Sequence, residues 1–566
     1  MQTWVSHVIS PFHTLSLNQT CHVKNTAIGE SDPIKHDDSA KMSNNIIGRQ
    51  GDWEATLEDA QAANAHQHSL GILAALKAYP LAVAWSLVIS MSIIMEGYDT
   101  ALIGSLYAYP GYARRFGALD SLTDTYQIPA KWQSAMGSGP QAGAIIGALL
   151  NGYLVQRLGY RPAFASGVGL MAALVFVSFF GMTVELQAVG QVLCGVPWGI
   201  FATIGPAYAS EVCPLPLWAY LTAYTNMCFA TGQLIGAGVL QSFINRRDDW
   251  AWRIPFAIQW IWIPFLFIAC ICMPESPWYL VRQGRFVDAE KTVKSLMIES
   301  ERVQARPLVA LMVHTNGLEQ DITAGTSYLD CYKGTDLRRT EIACISFVGQ
   351  ITCGAPFAYS ATYFFQQAGL GSNDSYKLNL GGTGIALCGT IASWVLMKQL
   401  NRRTLYITGM SLVSLWLLII GCLSIDKKHP NIKWVQSCLC IIWLLTFSLT
   451  IGPVGWTIQA EVSSTRLRSK TIVLARSSYY LAQIAANVIQ PYMMNPLAWN
   501  WKGKMGFFWF TLSSLTAIWA FFRLPETKGR NYHELDVMFH AKLKTRNFKK
   551  YTINVYGNYG DRIREV

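Results

Sequence analysis

Charge is scarce in this sequence, and it leans to one sign. Only 14% of the 566 residues are Asp, Glu, Lys or Arg, where a soluble domain carries about 25%. Acidic residues are the rarer kind, 34 against 45 Lys and Arg, which leaves a formal net charge of +11. So little charge argues against an ordinary soluble domain. A basic excess can serve nucleic acid or an anionic membrane surface. Here the Lys and Arg gather in gaps between apolar runs, with no folded basic domain, so nucleic acid is not an expected partner. Enzyme signatures are missing too. No HExxH, GxSxG or GxxxxGK[ST] occurs, so no zinc hydrolase, nucleophile elbow or phosphate loop is expected, and the chain does not read as an enzyme. The N-terminus has no charged segment followed by a short apolar core, so no signal peptide is expected. Cysteine is present, 13 in all, but mostly inside apolar runs. Cys270/Cys272 and Cys438/Cys440 are spaced by two on helices and point to different faces. Metal sites, cofactors and disulfides are therefore not expected.

What is present is apolar and aromatic: 51% hydrophobic residues, 12% aromatic, 20 Trp. Aromatic rings with one polar edge suit the two membrane interfaces. Residues 1–78 are polar and weakly periodic, and read as a disordered cytosolic tail with room for a short helix near Leu57–Lys77. From Pro80 onward, apolar runs long enough to cross about 30 Å of hydrocarbon follow one another. Six fall near 81–106, 132–155, 162–183, 186–208, 220–243 and 254–273, and six more near 341–366, 377–398, 404–424, 434–456, 471–493 and 505–523. The expected fold is an all-α membrane protein of about twelve transmembrane helices in two six-helix halves. The halves run 79–273 and 341–523, with a cytosolic linker at 274–340 and a cytosolic tail at 524–566.

The gaps set the orientation. Arg157 and Arg161, the linker, Lys398 with Arg402 and Arg403, and Arg466, Arg468 and Lys470 make one set of gaps basic. The positive-inside bias places these gaps and both termini in the cytosol, although Lys427, Lys428 and Lys433 sit on the other side. Asn373-Asp374-Ser375 is a glycosylation sequon on the outer side. The halves also echo each other: Arg157-Leu158-Gly159-Tyr160-Arg161 answers Asn401-Arg402-Arg403, and Glu211 answers Glu461.

Longer signatures carry a resemblance. They are Pro274-Glu275-Ser276-Pro277-Trp278 with Gly284-Arg285, and Pro525-Glu526-Thr527-Lys528-Gly529-Arg530. Together they resemble the sugar porter branch of the major facilitator superfamily, from about residue 80 to 540. Glu96-Gly97-Tyr98-Asp99, Gly195-Val196-Pro197-Trp198-Gly199, Ser210-Glu211-Val212-Cys213-Pro214 and Gln259-Trp260-Ile261-Trp262 narrow it to something similar to the fungal maltose and general α-glucoside permeases. The resemblance implies proton-coupled uptake of a sugar at the plasma membrane, with no cofactor; the chain is expected to act as a monomer.

Site residues follow. Glu96 and Asp99 lie inside the first span, where each costs roughly 2.5–3.5 kcal/mol to insert. At i, i+3 they are expected to share a face toward the cavity. Two carboxylates in a partly dry site repel, which suits a group that takes a proton on one side and releases it on the other. Arg476, in the eleventh span, matches an intramembrane Arg of the α-glucoside permeases and is the expected counter-charge. Gln233 and Gln350 resemble the family's sugar-contacting glutamines. Tyr359, Tyr363, Trp456 and Tyr479 are the further expected sugar contacts, since amides read hydroxyls and rings cover C–H faces. Each could also simply bond backbone between helices. Arg157, Arg161, Glu211, Glu275, Arg285, Arg402, Arg403, Glu461, Arg468 and Glu526 are expected to form ion-pair clusters that latch the cytosolic face while the site opens outward.

The departures from the family are as informative. Gln156 stands where an Asp is usual, Trp218 where an Arg is usual, Gln191 where hexose porters carry an Arg, and Ala144 where α-glucoside permeases carry an acid. A usual double glutamine reads Gly349-Gln350. Two other functions stay open beside symport: uncoupled movement of another polyol, glycoside or secondary metabolite, and a non-transporting sugar sensor.

Overall fold

The computed structural model describes residues 46–50, 53–120, 125–246, 248–323, 327–425, 431–464, 467–528, 530 and 532–548. Of the tails expected at 1–78 and 524–566, residues 1–45 and 549–566 lie outside the described residues. The chain is a twelve-helix bundle of the major facilitator fold. Spans 1 to 6 are Pro80–Leu106, Ala130–Leu158, Tyr160–Phe180, Val184–Val212, Trp218–Ser242 and Trp250–Cys272. Spans 7 to 12 are Gly334–Tyr359 continuing as Ala361–Gln367, Ser372–Gln399, Arg402–Leu423, Ile432–Gln459, Arg468–Met494 and Met505–Arg523. Strands are confined to short pairs such as Ala118–Asp120 with Thr125–Gln127.

Nine of these helices, among the described residues, are apolar and long enough to cross a membrane on their own. Spans 2, 5 and 11 fall short for a physical reason: they carry Gln141, Asn226 and Gln483, which face inward rather than to lipid. Elsewhere the outward faces are apolar, as at Leu149, Ile268, Leu481 and Phe522, each more than half exposed. Hydrocarbon offers no hydrogen bonds, so a span must bond its own backbone and keep its polar side chains inside. The helices approach closely through small residues. A Cβ built on Gly147 would come within 1.9 Å of the Val196 carbonyl oxygen, so span 2 lies backbone against backbone on span 4.

Span 7 is broken. Gly354 takes φ +95°, and the helix restarts at Ala355. The freed Cys353 carbonyl accepts from Trp443 Nε1 of span 10 at 3.2 Å. Among L-residues a positive φ of this kind is costly, which is what reserves the position for glycine.

Just before span 1, helices stand where the sequence left room for one. Leu57–Ser69 and Ile72–Ala78 are helices, with Thr56 capping the first. Leu57–Ser69 packs on the linker helix Ala305–Thr323, burying Ala60 and Ala63. The Ile298 amide donates to the Ala78 carbonyl at 3.0 Å, and His66 lies 3.7 Å from Glu301. Apolar burial against the linker orders what a polar composition alone would leave loose. After span 12, Tyr532–His540 forms another helix, with Leu535, Met538 and Phe539 buried. We call the end of the bundle that carries the linker the basic end, and the opposite one the far end.

Candidate functional site

The bundle encloses a cavity of about 120 Å³ between its halves. Glu96 of span 1 and Arg476 of span 11 both line it, with Gln350, Tyr359, Trp456 and Tyr479. No ion pair within 4 Å joins Glu96 to Arg476 among the described residues. Instead the guanidinium stands over three rings: Trp456 at 4.3 Å, Tyr480 at 5.2 Å and Phe347 at 5.7 Å. Cation–π attraction holds a desolvated Arg in place without neutralising it. Gln350 is pinned from the other side, its Nε2 donating to the Gly452 carbonyl at 2.7 Å. Tyr479 packs on Phe347, ring centres 4.9 Å apart. A charged pair, an amide and aromatic faces thus meet in one half-dry space.

Three expected members lie elsewhere. Asp99 does not share the cavity face with Glu96. It is 1% exposed inside the N-terminal half, and its Oδ1 accepts from Gln259 Nε2 at 3.0 Å. Its Oδ2 has no hydrogen-bond partner among the described residues. Residues three apart on a helix are about 60° apart around it, enough here to send one carboxyl to the cavity and the other into the half. Gln233 sits on the stripe of Asn226 and Phe229, but one turn beyond the residues that line the cavity. Tyr363 is buried, and its hydroxyl donates to Gln127 Oε1 at 3.1 Å, away from the cavity.

The cavity also has walls the sequence reading missed: Gln141, Trp198, Asn226, Tyr480 and Gln483. A signal existed for the last two. Residues 476, 479, 480 and 483 recur at helical spacing, so a polar stripe containing Arg476 predicts its neighbours. Gln141 stands on span 2 three residues before Ala144, which is buried against span 4.

At the basic end each half builds the same knot. In the N-terminal half, Glu275 accepts from the Tyr160 and Arg161 amides at 2.8 and 3.3 Å. In the C-terminal half, Glu526 accepts from the Arg402 and Arg403 amides at 3.0 and 3.1 Å. Both carboxylates cap the positive end of a helix. The Ser276 hydroxyl donates to Glu211, and Thr527 Oγ1 donates to Glu461 at 2.5 Å. The Arg161 guanidinium donates to the Ile271 carbonyl, and that of Arg403 to the Phe521 carbonyl at 2.6 Å. The cations differ: Arg282 pairs with Glu211 at 2.7 Å, and Arg402 with Glu461 at 3.5 Å. Burial works against the Arg282 charge, the Glu211 carboxylate outweighs it, and the pKa lies above its ordinary value. Gly159 takes φ +96°, where an L side chain is strained, and a Cβ there would also push Glu275 Oε2, 2.8 Å away.

Not every expected latch residue joins these knots. Arg157 stands over the Tyr153 ring at 5.5 Å, and Arg285 pairs with the exposed Asp288 at 2.8 Å. Arg468 opens span 11, but its side chain lies outside the described residues. The knots tie helices within each half, not one half to the other.

The duplicated knots around a shared central cavity invite comparison with known proteins. Residues 85–539 match the family described as "Sugar (and other) transporter". This chain belongs to that family. A maltose permease of Saccharomyces cerevisiae is 36% identical over 510 residues, covering 89% of this chain and 83% of the relative. A general α-glucoside permease of the same species is 33% identical over 526 residues, 92% of this chain and 84% of the relative. The xylose transporter XylE of E. coli, solved in a partially occluded inward-open conformation, superposes with a TM-score of 0.65 at 19% identity, over 80% of this chain and all of that one. That last likeness shows the fold.

Hydrogen bonds between the transporter's halves gather at the far end. Asn487 Nδ2 donates to the Gly137 carbonyl at 2.8 Å, Asn495 Nδ2 to Ile128 at 2.6 Å and Gln366 Nε2 to Ala108 at 2.9 Å. The Tyr376 hydroxyl donates to the Ser105 carbonyl at 2.6 Å. Asn373, the sequon residue, is exposed in the first turn of span 8 and accepts from Gln241 Nε2 at 2.8 Å. Its companion Ser375 is buried, donating to the Gly371 carbonyl at 2.9 Å.

Proposed function

We propose that this transporter carries an α-glucoside such as maltose together with a proton, by alternating access, across the plasma membrane. The observation that carries the reading is the cavity in which Glu96 and Arg476 face each other beside Gln350 and Trp456. A carboxyl that loses its proton next to an unneutralised guanidinium gains a partner, and protonation releases it. Proton transfer and the state of the site are then linked. Amides and rings recognise hydroxyls and C–H faces, the chemistry of a sugar. Relatives named maltose and α-glucoside permeases support the cargo. In this reading the basic end and both termini face the cytosol, the bonded far end is the closed outer gate, and the structure is an inward-facing state. The knots are internal stiffeners that keep each half rigid while it rocks. A residual role for Asp99 in proton transfer rests on its unpartnered Oδ2.

A second reading keeps the cargo and drops the proton. It rests on Gln191, buried at 2% with an unpartnered Oε1, where hexose porters carry an Arg. One experiment separates the two. Cells without their own sugar uptake, expressing the chain, receive labelled maltose, trehalose, glucose and sucrose while external pH is followed. Accumulation above equilibrium with alkalinisation is expected. Glu96→Gln is expected to lower accumulation at least about tenfold while sparing exchange, because an amide cannot take up and release a proton. Equilibration without a pH change would reject symport and leave the facilitator.

A further inference from the structure

The space between the halves is not one chamber. A second cavity, about 60 Å³, adjoins the first toward the far end. The two share the walls Thr100, Gln141, Trp198, Tyr359 and Gln483. Their chemistry differs. The first holds Glu96 and Arg476, whereas the second is walled by amides, hydroxyls and apolar groups without a charge.

Gln483 stands on the boundary, 5% exposed. Its amide orientation is set by its neighbours. Asn487 Nδ2 donates to the Gly137 carbonyl at 2.8 Å, so Asn487 presents its oxygen to Gln483, and Gln483 Nε2 donates to it at 3.1 Å. That leaves Gln483 Oε1 turned away from Asn487, buried and without a hydrogen-bond partner among the described residues. An unbonded buried acceptor is costly, and a native fold keeps one where something else fills it. An acceptor welcomes a hydroxyl and repels an anion.

We propose that the two cavities are adjoining sugar subsites, and that Gln483 at their shared wall selects two-ring glycosides over single-ring sugars. One ring rests in the charged cavity against Trp456 and Gln350. The second ring enters the uncharged cavity, and a hydroxyl beside the glycosidic bond donates to Gln483 Oε1. A single ring fills the first cavity and leaves that acceptor unmet. This proposal rests on the sugar-cargo reading above.

The test uses the full-length purified protein. Binding of maltose and of glucose is followed by the change in intrinsic tryptophan fluorescence. The parent is expected to bind maltose at least about tenfold more tightly than glucose, the worth of one satisfied buried acceptor. Gln483→Leu is expected to erase most of that ratio by weakening maltose more than glucose. Ser360→Leu, which crowds the second cavity without touching Gln483, should give the same selective loss. If Gln483→Leu does not fold, Gln483→Asn withdraws the amide by one methylene and is read in its place. A parent that binds both sugars equally, or a Gln483 variant that weakens both alike, overturns the subsites. A parent that binds neither sugar overturns the cargo reading itself, which is a different result.

Discussion

The two halves of the transporter solve one problem at the basic end in two ways. Each ties Glu275 or Glu526 onto a helix start, and each bridges to Glu211 or Glu461 through a hydroxyl. Beneath the N-terminal knot, however, lies a cavity of about 350 Å³ bordered by Tyr79, Glu211, Trp278, Arg282 and the linker helix. Beneath the C-terminal knot the space is filled. Arg339, 2% exposed, bonds Asp536 and donates to the Val462 carbonyl at 2.7 Å and the Ser463 carbonyl at 3.1 Å. Phe539 covers its guanidinium at 4.8 Å. Near-identical knots therefore sit on a loose base in one half and a packed base in the other. A local signature sets the knot, while the segment that follows each half decides what lies under it.

That contrast can be broken by experiment. The largest effect is expected from Arg339→Ala, which removes the buried guanidinium that pairs with Asp536 and leaves two carbonyls uncapped. Losing one partner of a buried pair costs about 3–5 kcal/mol, seen as a marked fall in melting temperature and surface abundance. Tyr79→Phe, beside the N-terminal cavity, should cost less than about 1 kcal/mol. Equal losses from the two would mean the bases are not different. Next come Glu275→Gln and Glu526→Gln, each keeping the shape and removing the charge that holds three main-chain amides. Each should cost about 1–3 kcal/mol, and similar melting shifts would show the knots are equivalent. The smallest effects belong to the cations. Arg402 is 18% exposed and Arg282 is 39% exposed. Arg402→Ala should cost about 1 kcal/mol and Arg282→Ala less, with the Arg282 effect fading as salt is raised. A larger loss at Arg282 would show that the N-terminal cavity is more desolvated than its open rim suggests.

The fold was legible because hydrocarbon imposes length and apolarity, and because the Pro274–Trp278 and Pro525–Arg530 signatures mark the end of each half. Spans 2, 5 and 11 needed the repeat as well as hydropathy, since Gln141, Asn226 and Gln483 dilute them. The site was legible in part. Glu96, Arg476, Gln350, Tyr359, Trp456 and Tyr479 line one cavity. Asp99, Gln233 and Tyr363 do not, because a side chain's face depends on helix rotation and depth, which residue type leaves open. The segment before span 1 was legible in part for another reason. A helix there was readable from Thr56 with Glu58 and Asp59 in the first turn, but its packing on Ala305–Thr323, about 250 residues away in sequence, was not.

The far-end closure has a consequence for how such a chain can change over generations. Asn487, Asn495, Gln366 and Tyr376 all reach across to main-chain carbonyls. Every residue type offers that acceptor, so the facing helix can drift in sequence and still be grasped. The knots at the basic end also hold main-chain groups, but they add side-chain pairs, Arg282 with Glu211 and Thr527 with Glu461, that must be kept together. Lineages should therefore diversify more freely at the far end than at those pairs of the basic end.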